Sequence, residues 1–128
     1  MKDSQTFHII SVGQCSADNA NITRALSRFV DCRVEYVESF AELVHACRTC
    51  VPQLVLVNRI LDSDGSNGIE IIDRMKSDQS LRTIPVMLVS NLVDAQDAAV
   101  NAGALRGFGK SELNQPVMET LVRAALGC

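Results

Sequence analysis

Aromatic residues are scarce in this chain: no tryptophan, one tyrosine (Tyr36) and four phenylalanines among 128 residues. That leaves little with which to build a ring-stacking cofactor site. Positive charge is not in excess either. Twelve Lys and Arg stand against fifteen Asp and Glu, for a net charge of −3 and a pI near 5.3. A generic nucleic-acid or anionic-membrane surface is therefore not expected, although a local basic patch stays open. Long apolar runs are missing, and none approaches the roughly 18–20 residues of a membrane helix. The apolar stretch after Thr6 is too short for a signal-peptide core, so the expected location is cytoplasmic.

An even set of cysteines is also missing. Five thiols (Cys15, Cys32, Cys47, Cys50, Cys128) without a secretory signal are expected to be reduced. Cys47-Arg48-Thr49-Cys50 has C-x-x-C spacing, but it closes a helical stretch. A redox pair gains reactivity at a helix N-terminus, where the dipole lowers the thiol pKa, so the field here acts the wrong way. A metal site needs two more ligands, and His45 lies about 200° away from Cys47 around a helix. Ordinary semi-buried thiols are the expected outcome.

With 47% hydrophobic and 21% charged residues, the composition is that of a soluble globular chain, expected to form one domain over 1–128 with its core in about 7–126. Strand and helix signals alternate throughout. Phe7–Val12 is a short apolar run ending at Gly13, and Ile22, Ala25, Leu26 and Phe29 then recur at helical spacing, with Ser16 or Asp18 as the cap. Arg33–Val37 alternates like a strand. Ser39-Phe40-Ala41-Glu42 fits a capping box opening the next helix.

Pro52 ends that helix, and Leu54-Val55-Leu56-Val57-Asn58 reads as a buried strand. A polar loop, Asp62 to Gly68, leads to a third helix through Ile69, Ile72 and Met75. Pro85–Ser90 is the next strand, and Asp94–Ala102 an alanine-rich helix stopped by Gly103. Leu105–Lys110 is the last strand, and Gln115-Pro116 starts a fifth helix. Five βα units predict an α/β, doubly wound, five-stranded parallel sheet with five helices. Ligands of such sheets gather at the carboxyl ends of the strands, where Asn58, Ser90 and Lys110 bring an amide, a hydroxyl and an amine.

This order of elements resembles the receiver domain of bacterial two-component response regulators. The residues that carry the likeness are Pro52–Asn58, Gly68-Ile69-Glu70-Ile71-Ile72, Ile84–Ser90, Ala102-Gly103-Ala104 and Lys110. The resemblance implies a flavodoxin-like sheet of order 2-1-3-4-5. It also implies a phosphorelay signalling module rather than an enzyme.

In that family two acids after the first strand hold Mg²⁺ beside the aspartate that takes the phosphoryl group. A hydroxyl and a lysine bind the phosphoryl oxygens. Carried over, the acid pair falls on Gly13 and Gln14, the acceptor on Asn58, the hydroxyl on Ser90 and the lysine on Lys110. No carboxylate remains among these five, so Mg²⁺ binding is expected to be weak or absent and no cofactor is implied. An amide cannot form the acyl phosphate. Losing three negative charges is also expected to relieve Lys110 of opposite-charge neighbours.

Two further departures concern output. Where the family often carries a switching aromatic, this chain has Gly107, with Phe108 beside it as an expected core residue. Ser111 follows the lysine where a cis proline is usual, so a trans or rearranged turn is expected.

The first reading is thus a pseudo-receiver that acts by protein–protein interaction without aspartyl phosphorylation. Its partner is expected to be a kinase, an effector or another regulator, with a homodimer through the fourth helix, last strand and fifth helix also in view. Ser90 and Lys110 are then inherited scaffold or an anion pocket. The alternative is an active phosphorelay receiver with a displaced acceptor, Asp62 or Asp64, in a loop about two residues longer than usual. Turn chemistry is the plainer role for both. A flavin binder needs a phosphate cradle in Gly13–Asp18 and more aromatics, and a thiol sensor at Cys15 needs a lowered pKa.

Overall fold

The computed structural model describes residues 6–128. The reading of the first five residues, which concerned a signal peptide, lies outside the described residues. Four parallel strands form the sheet: β1 (Phe7–Val12), β2 (Cys32–Val37), β3 (Leu54–Asn58) and β4 (Val86–Val89), in the order β2-β1-β3-β4. Their crossovers are the helices α1 (Ser16–Ser27), α2 (Phe40–Thr49), α3 (Gly68–Ser77) and α4 (Val93–Asn101), and α5 (Pro116–Leu126) closes the chain. β1, β3 and β4 are buried along their whole length, which is why they read as unbroken apolar runs. β2 is an edge strand, half-buried or exposed along its length except at Val37.

Period-two alternation divides the core between the two faces of the sheet. Ile10, Val12, Val55, Val57 and Leu88 pack against Leu43, Ile72, Met75 and Ala99 of α2, α3 and α4. Ile9, Leu54, Leu56, Met87 and Val89 pack against Ile22 and Leu26 of α1 and Met118 and Val122 of α5. Phe108 is fully buried in this second cluster, as expected.

The helix ends differ in detail from expectation. Cys15, not Ser16 or Asp18, caps α1, its sulfur accepting from Asp18 N at 3.4 Å. Ser39 caps α2 by accepting from Glu42 N at 3.2 Å, but the Glu42 carboxylate accepts from Glu38 N, one residue outside the expected box. Pro116 opens α5 at its first turn, where its missing N–H costs nothing.

The larger correction is at the edge beyond β4. Leu105–Gly109 continues the expected order 2-1-3-4-5 in position but is no regular fifth strand, being joined to β4 by a single parallel bridge, Met87 with Leu105. Leu105 N donates to Val86 O at 2.9 Å and Ser90 N to Phe108 O at 3.0 Å. Between these bonds the side-chain amide of Gln96, from α4, is inserted. Its Nε2 donates to Leu88 O at 2.9 Å and to Ser90 O at 3.1 Å, and its Oε1 accepts from Gly107 N at 2.9 Å. A side chain thus takes over ladder bonds that the two backbones would otherwise exchange. A Cβ at residue 107 would run into Leu88 O, so only glycine fits there.

Candidate functional site

The carboxyl edge of the sheet carries two hollows side by side. The first, of about 370 Å³, is lined by Asn58 and Arg59 at the end of β3, Ser90 and Asn91 after β4, and Lys110. The three residues taken from the strand ends in the sequence, Asn58, Ser90 and Lys110, therefore do converge.

Each of them is already engaged. Asn58, 9% exposed, donates from Nδ2 to Gly13 O at 3.0 Å. Ser90 Oγ accepts from Leu92 N at 3.0 Å and closes the turn into α4. Lys110 Nζ lies 2.7 Å from Asp18 Oδ2. This overturns the expectation that Lys110 lacks an opposite charge: Asp18, on the first turn of α1, supplies one. The Lys110 ammonium holds the Asp18 carboxyl below the usual carboxylate range, against a smaller upward push from burial.

Gly13 and Gln14 do not line this pocket, Gly13 touching it only through the carbonyl that accepts from Asn58. Gly13 has φ 76°, which β-carbon-bearing residues rarely adopt, and a Cβ there would collide with the side chain of Leu61. Leu61 is buried and occupies the space beside Gly13. The lengthened loop puts it there. Ile60 bridges Asn67, Leu61 N donates to Ser66 O, Gly65 N to Leu61 O, and Asp62 N to Gly13 O, so the loop folds into a small closed hairpin. The Gln14 side chain lines the neighbouring hollow instead.

A hard divalent cation needs several oxygen ligands in octahedral array. At the three positions that the resemblance assigns to acids stand a glycine whose side-chain space Leu61 fills, a glutamine, and an asparagine that donates to Gly13 O. The residues present do not fit Mg²⁺, and among the described residues no group of three or more His, Cys, Asp or Glu is placed to hold a metal.

The alternative acceptors lie elsewhere. Asp62 faces the second hollow with Gln14 and Tyr36. Asp64 is exposed and accepts from Ser66 N at 2.9 Å and Ser66 Oγ at 2.7 Å, which keeps its carboxyl below the usual range. That is turn chemistry. Lys110 opens a 3-10 turn, Lys110–Glu112, and no cis peptide occurs among the described residues. Asn91 Oδ1 holds this turn by accepting from Ser111 N and Ser111 Oγ at 3.0 and 2.9 Å.

The thiols keep to the plain reading. Cys47 is buried at the end of α2, and burial, with Glu35 adding, pushes its thiol up, opposite to a redox nucleophile. Cys15 is half-buried in its capping role.

Sequence reasoning missed Leu61, Gln96 and Asn91. Gly13 carried the only advance signal for Leu61, as a glycine where the chain turns sharply. Gln96 was visible as the one glutamine in the alanine-rich Val93–Asn101 segment, but a polar residue on such a helix is ordinarily solvated.

Comparison with known proteins adds the fold family. No family model and no curated protein matches the sequence. Solved structures do match. A candidate response regulator from Chloroflexus aurantiacus superposes with a TM-score of 0.81 at 16% identity, over 97% of this chain and all of that one. The fold is that of a response-regulator receiver domain. Two others agree. The N-terminal receiver domain of a Bacteroides fragilis two-component response regulator gives 0.74 at 25% identity, over 95% of this chain and 98% of its own. The receiver domain of a DNA-binding response regulator from Colwellia psychrerythraea gives 0.77 at 21%, over 95% and 99%. The receiver fold thus accounts for both the order of the sheet and the position of the pocket at its carboxyl edge. No helix among the described residues is long and apolar enough to cross a membrane.

Proposed function

We propose that this receiver-fold module works in a two-component or phosphorelay pathway by binding a signalling protein, and is not switched by aspartyl phosphorylation. The observation that carries the reading is Leu61 against Gly13. At Gly13, to which the resemblance carries one of the metal-binding acids, Leu61 fills the space that any side chain would need. Asn58 presents an amide tied to the backbone, and Lys110 is held by Asp18. Asp64 is committed to its own turn and Asp62 faces away from Ser90 and Lys110, which disfavours a displaced acceptor.

The output side supports a constitutive shape. Gly107 leaves no aromatic to swing, and the Gln96 amide fills the β4 edge with three hydrogen bonds. The face made by α4, the Leu105–Gly109 edge and α5 exposes Leu92, Val93, Leu105 and Val117, with Arg106 paired to Asp97 across it. Such a surface suits a kinase, an effector or another regulator, or a second copy of the chain.

Incubation with Mg²⁺ and a small-molecule phosphodonor, followed by intact mass measurement, tests the reading. No phosphoryl adduct is expected on the natural protein. An adduct lost on replacing Asp62 or Asp64 would overturn it in favour of a displaced acceptor.

A further inference from the structure

The second hollow, about 420 Å³ over the carboxyl ends of β1 and β2, shares no lining residue with the Asn58–Lys110 pocket. Gln14, a fully buried residue that lines it, has both Nε2 and Oε1 without a hydrogen-bond partner. Five buried side-chain polar atoms among the described residues lack partners, and four of them belong to Ser11, Gln14 and Asn19. Asn19 lines the same hollow, and Ser11 stands directly opposite Tyr36 in the β1–β2 register. A buried amide left unpaired costs roughly 1–3 kcal/mol, so a cluster of them in one place calls for a reason.

The rim has a definite chemistry. Tyr36 contributes an aromatic ring, Glu38 and Asp62 contribute carboxylates, and no lysine or arginine lines the hollow. Burial pushes the Tyr36 hydroxyl up, and Glu38, Asp62 and Glu42 push it further, which places negative charge close around the ring. The walls are built in advance. Ser63 Oγ donates to Glu38 O at 3.1 Å, Gly13 N to Val37 O at 2.9 Å and Asp62 N to Gly13 O at 2.9 Å, tying the three loops together.

The geometry points to a binding site for a guanidinium group in the cleft between Gln14, Asn19, Tyr36, Glu38 and Asp62. Acceptors outnumber donors there. A planar cation with five N–H groups stacks on a tyrosine ring, pairs with carboxylates and donates to the orphaned amide oxygens. Tyr36 sits on an edge strand and is 37% exposed, so its ring is reachable from solvent in the same cleft as Gln14. The guanidinium can belong to a small metabolite or to an arginine side chain of a protein partner. The site does not depend on the signalling reading above.

The test is an NMR titration of the ¹⁵N-labelled full chain with agmatine, with putrescine and with N-acetyl-arginine amide. Agmatine is expected to give saturable shifts at Gln14, Asn19, Tyr36 and Asp62 and none at Ser90 or Lys110. Loss of a charge-assisted bond in Asp62→Asn is expected to weaken binding about tenfold. Gln14→Leu is expected to abolish it while raising the melting temperature, which a purely structural amide would not do. Tighter binding of agmatine assigns a metabolite, and tighter binding of the arginine amide assigns a protein side chain. Absence of saturable shifts with both guanidinium compounds would overturn the proposal. So would equal binding of putrescine, or binding unchanged in both variants.

Discussion

Two hollows lie next to each other on the same sheet edge and treat their polar groups in opposite ways. Around Asn58, Ser90 and Lys110 every functional side chain is bound to a neighbour: a backbone carbonyl, a backbone N–H, a carboxylate. Around Gln14 and Asn19 buried amide atoms have no partner at all. The comparison separates resemblance from readiness. In the first hollow, at the strand ends of the receiver fold, each of these three side chains already has a partner, whereas the second has unmet hydrogen-bonding capacity, the condition under which a ligand gains most.

The largest effect that would disturb this contrast is at Gln96, which fixes the wall carrying Ser90. Gln96→Leu keeps the volume but leaves Leu88 O, Ser90 O and Gly107 N unpaired in a buried place. A loss of about 4 kcal/mol is expected, from roughly 1–3 kcal/mol per orphaned group with partial relaxation, read as a lower urea midpoint. Leu61→Ala comes next. Removing a buried leucine should cost about 3 kcal/mol, and it opens the space beside Gly13, which sharpens the contrast only if Mg²⁺ affinity stays negligible.

Smaller and of opposite sign is Gln14→Leu. Replacing an orphaned amide by an apolar side chain of similar size should raise stability by about 1 kcal/mol. A drop instead would show that the amide is satisfied and the two hollows alike. Smallest is the Lys110–Asp18 pair, whose side chains are 36% and 32% exposed. Lys110→Ala should cost below about 1 kcal/mol, screened further by salt. The Asp18 carboxyl is depressed in the folded state. Its contribution is therefore present above the ordinary aspartate value and lost as pH falls through the lowered folded value, and Lys110→Ala should remove that acid-side loss from an unfolding series.

Much of the fold was legible because parallel strands buried on both faces write continuous apolar runs. Leu54–Asn58 and Pro85–Ser90 could hardly be anything else. Helix starts were less legible. Cys15 caps α1 with sulfur, which no capping preference singles out, and the Glu42 carboxylate reaches one residue beyond the expected partner. Leu105–Gly109 was read as a strand from local pattern. Its regularity is broken by the Gln96 amide, nine residues before Leu105, a side-chain contact that apolar periodicity does not report. The convergence of Asn58, Ser90 and Lys110 followed from strand ends alone. The Leu61 packing and the Asp18 partner did not, because both depend on how two loops close against each other.

We hold that the Asn58–Lys110 pocket is silent to phosphoryl chemistry because its acids are missing and because Leu61 fills the side-chain space at Gly13. An amide NMR titration with Mg²⁺ and then beryllofluoride, on the natural protein and on Asn58→Asp, tests it most directly. The account predicts no saturable shifts at residue 58, Ser90 or Lys110 in either protein, since Leu61 and Gly13 are unchanged in the variant. Saturable, Mg²⁺-dependent shifts at those residues in either protein would contradict it.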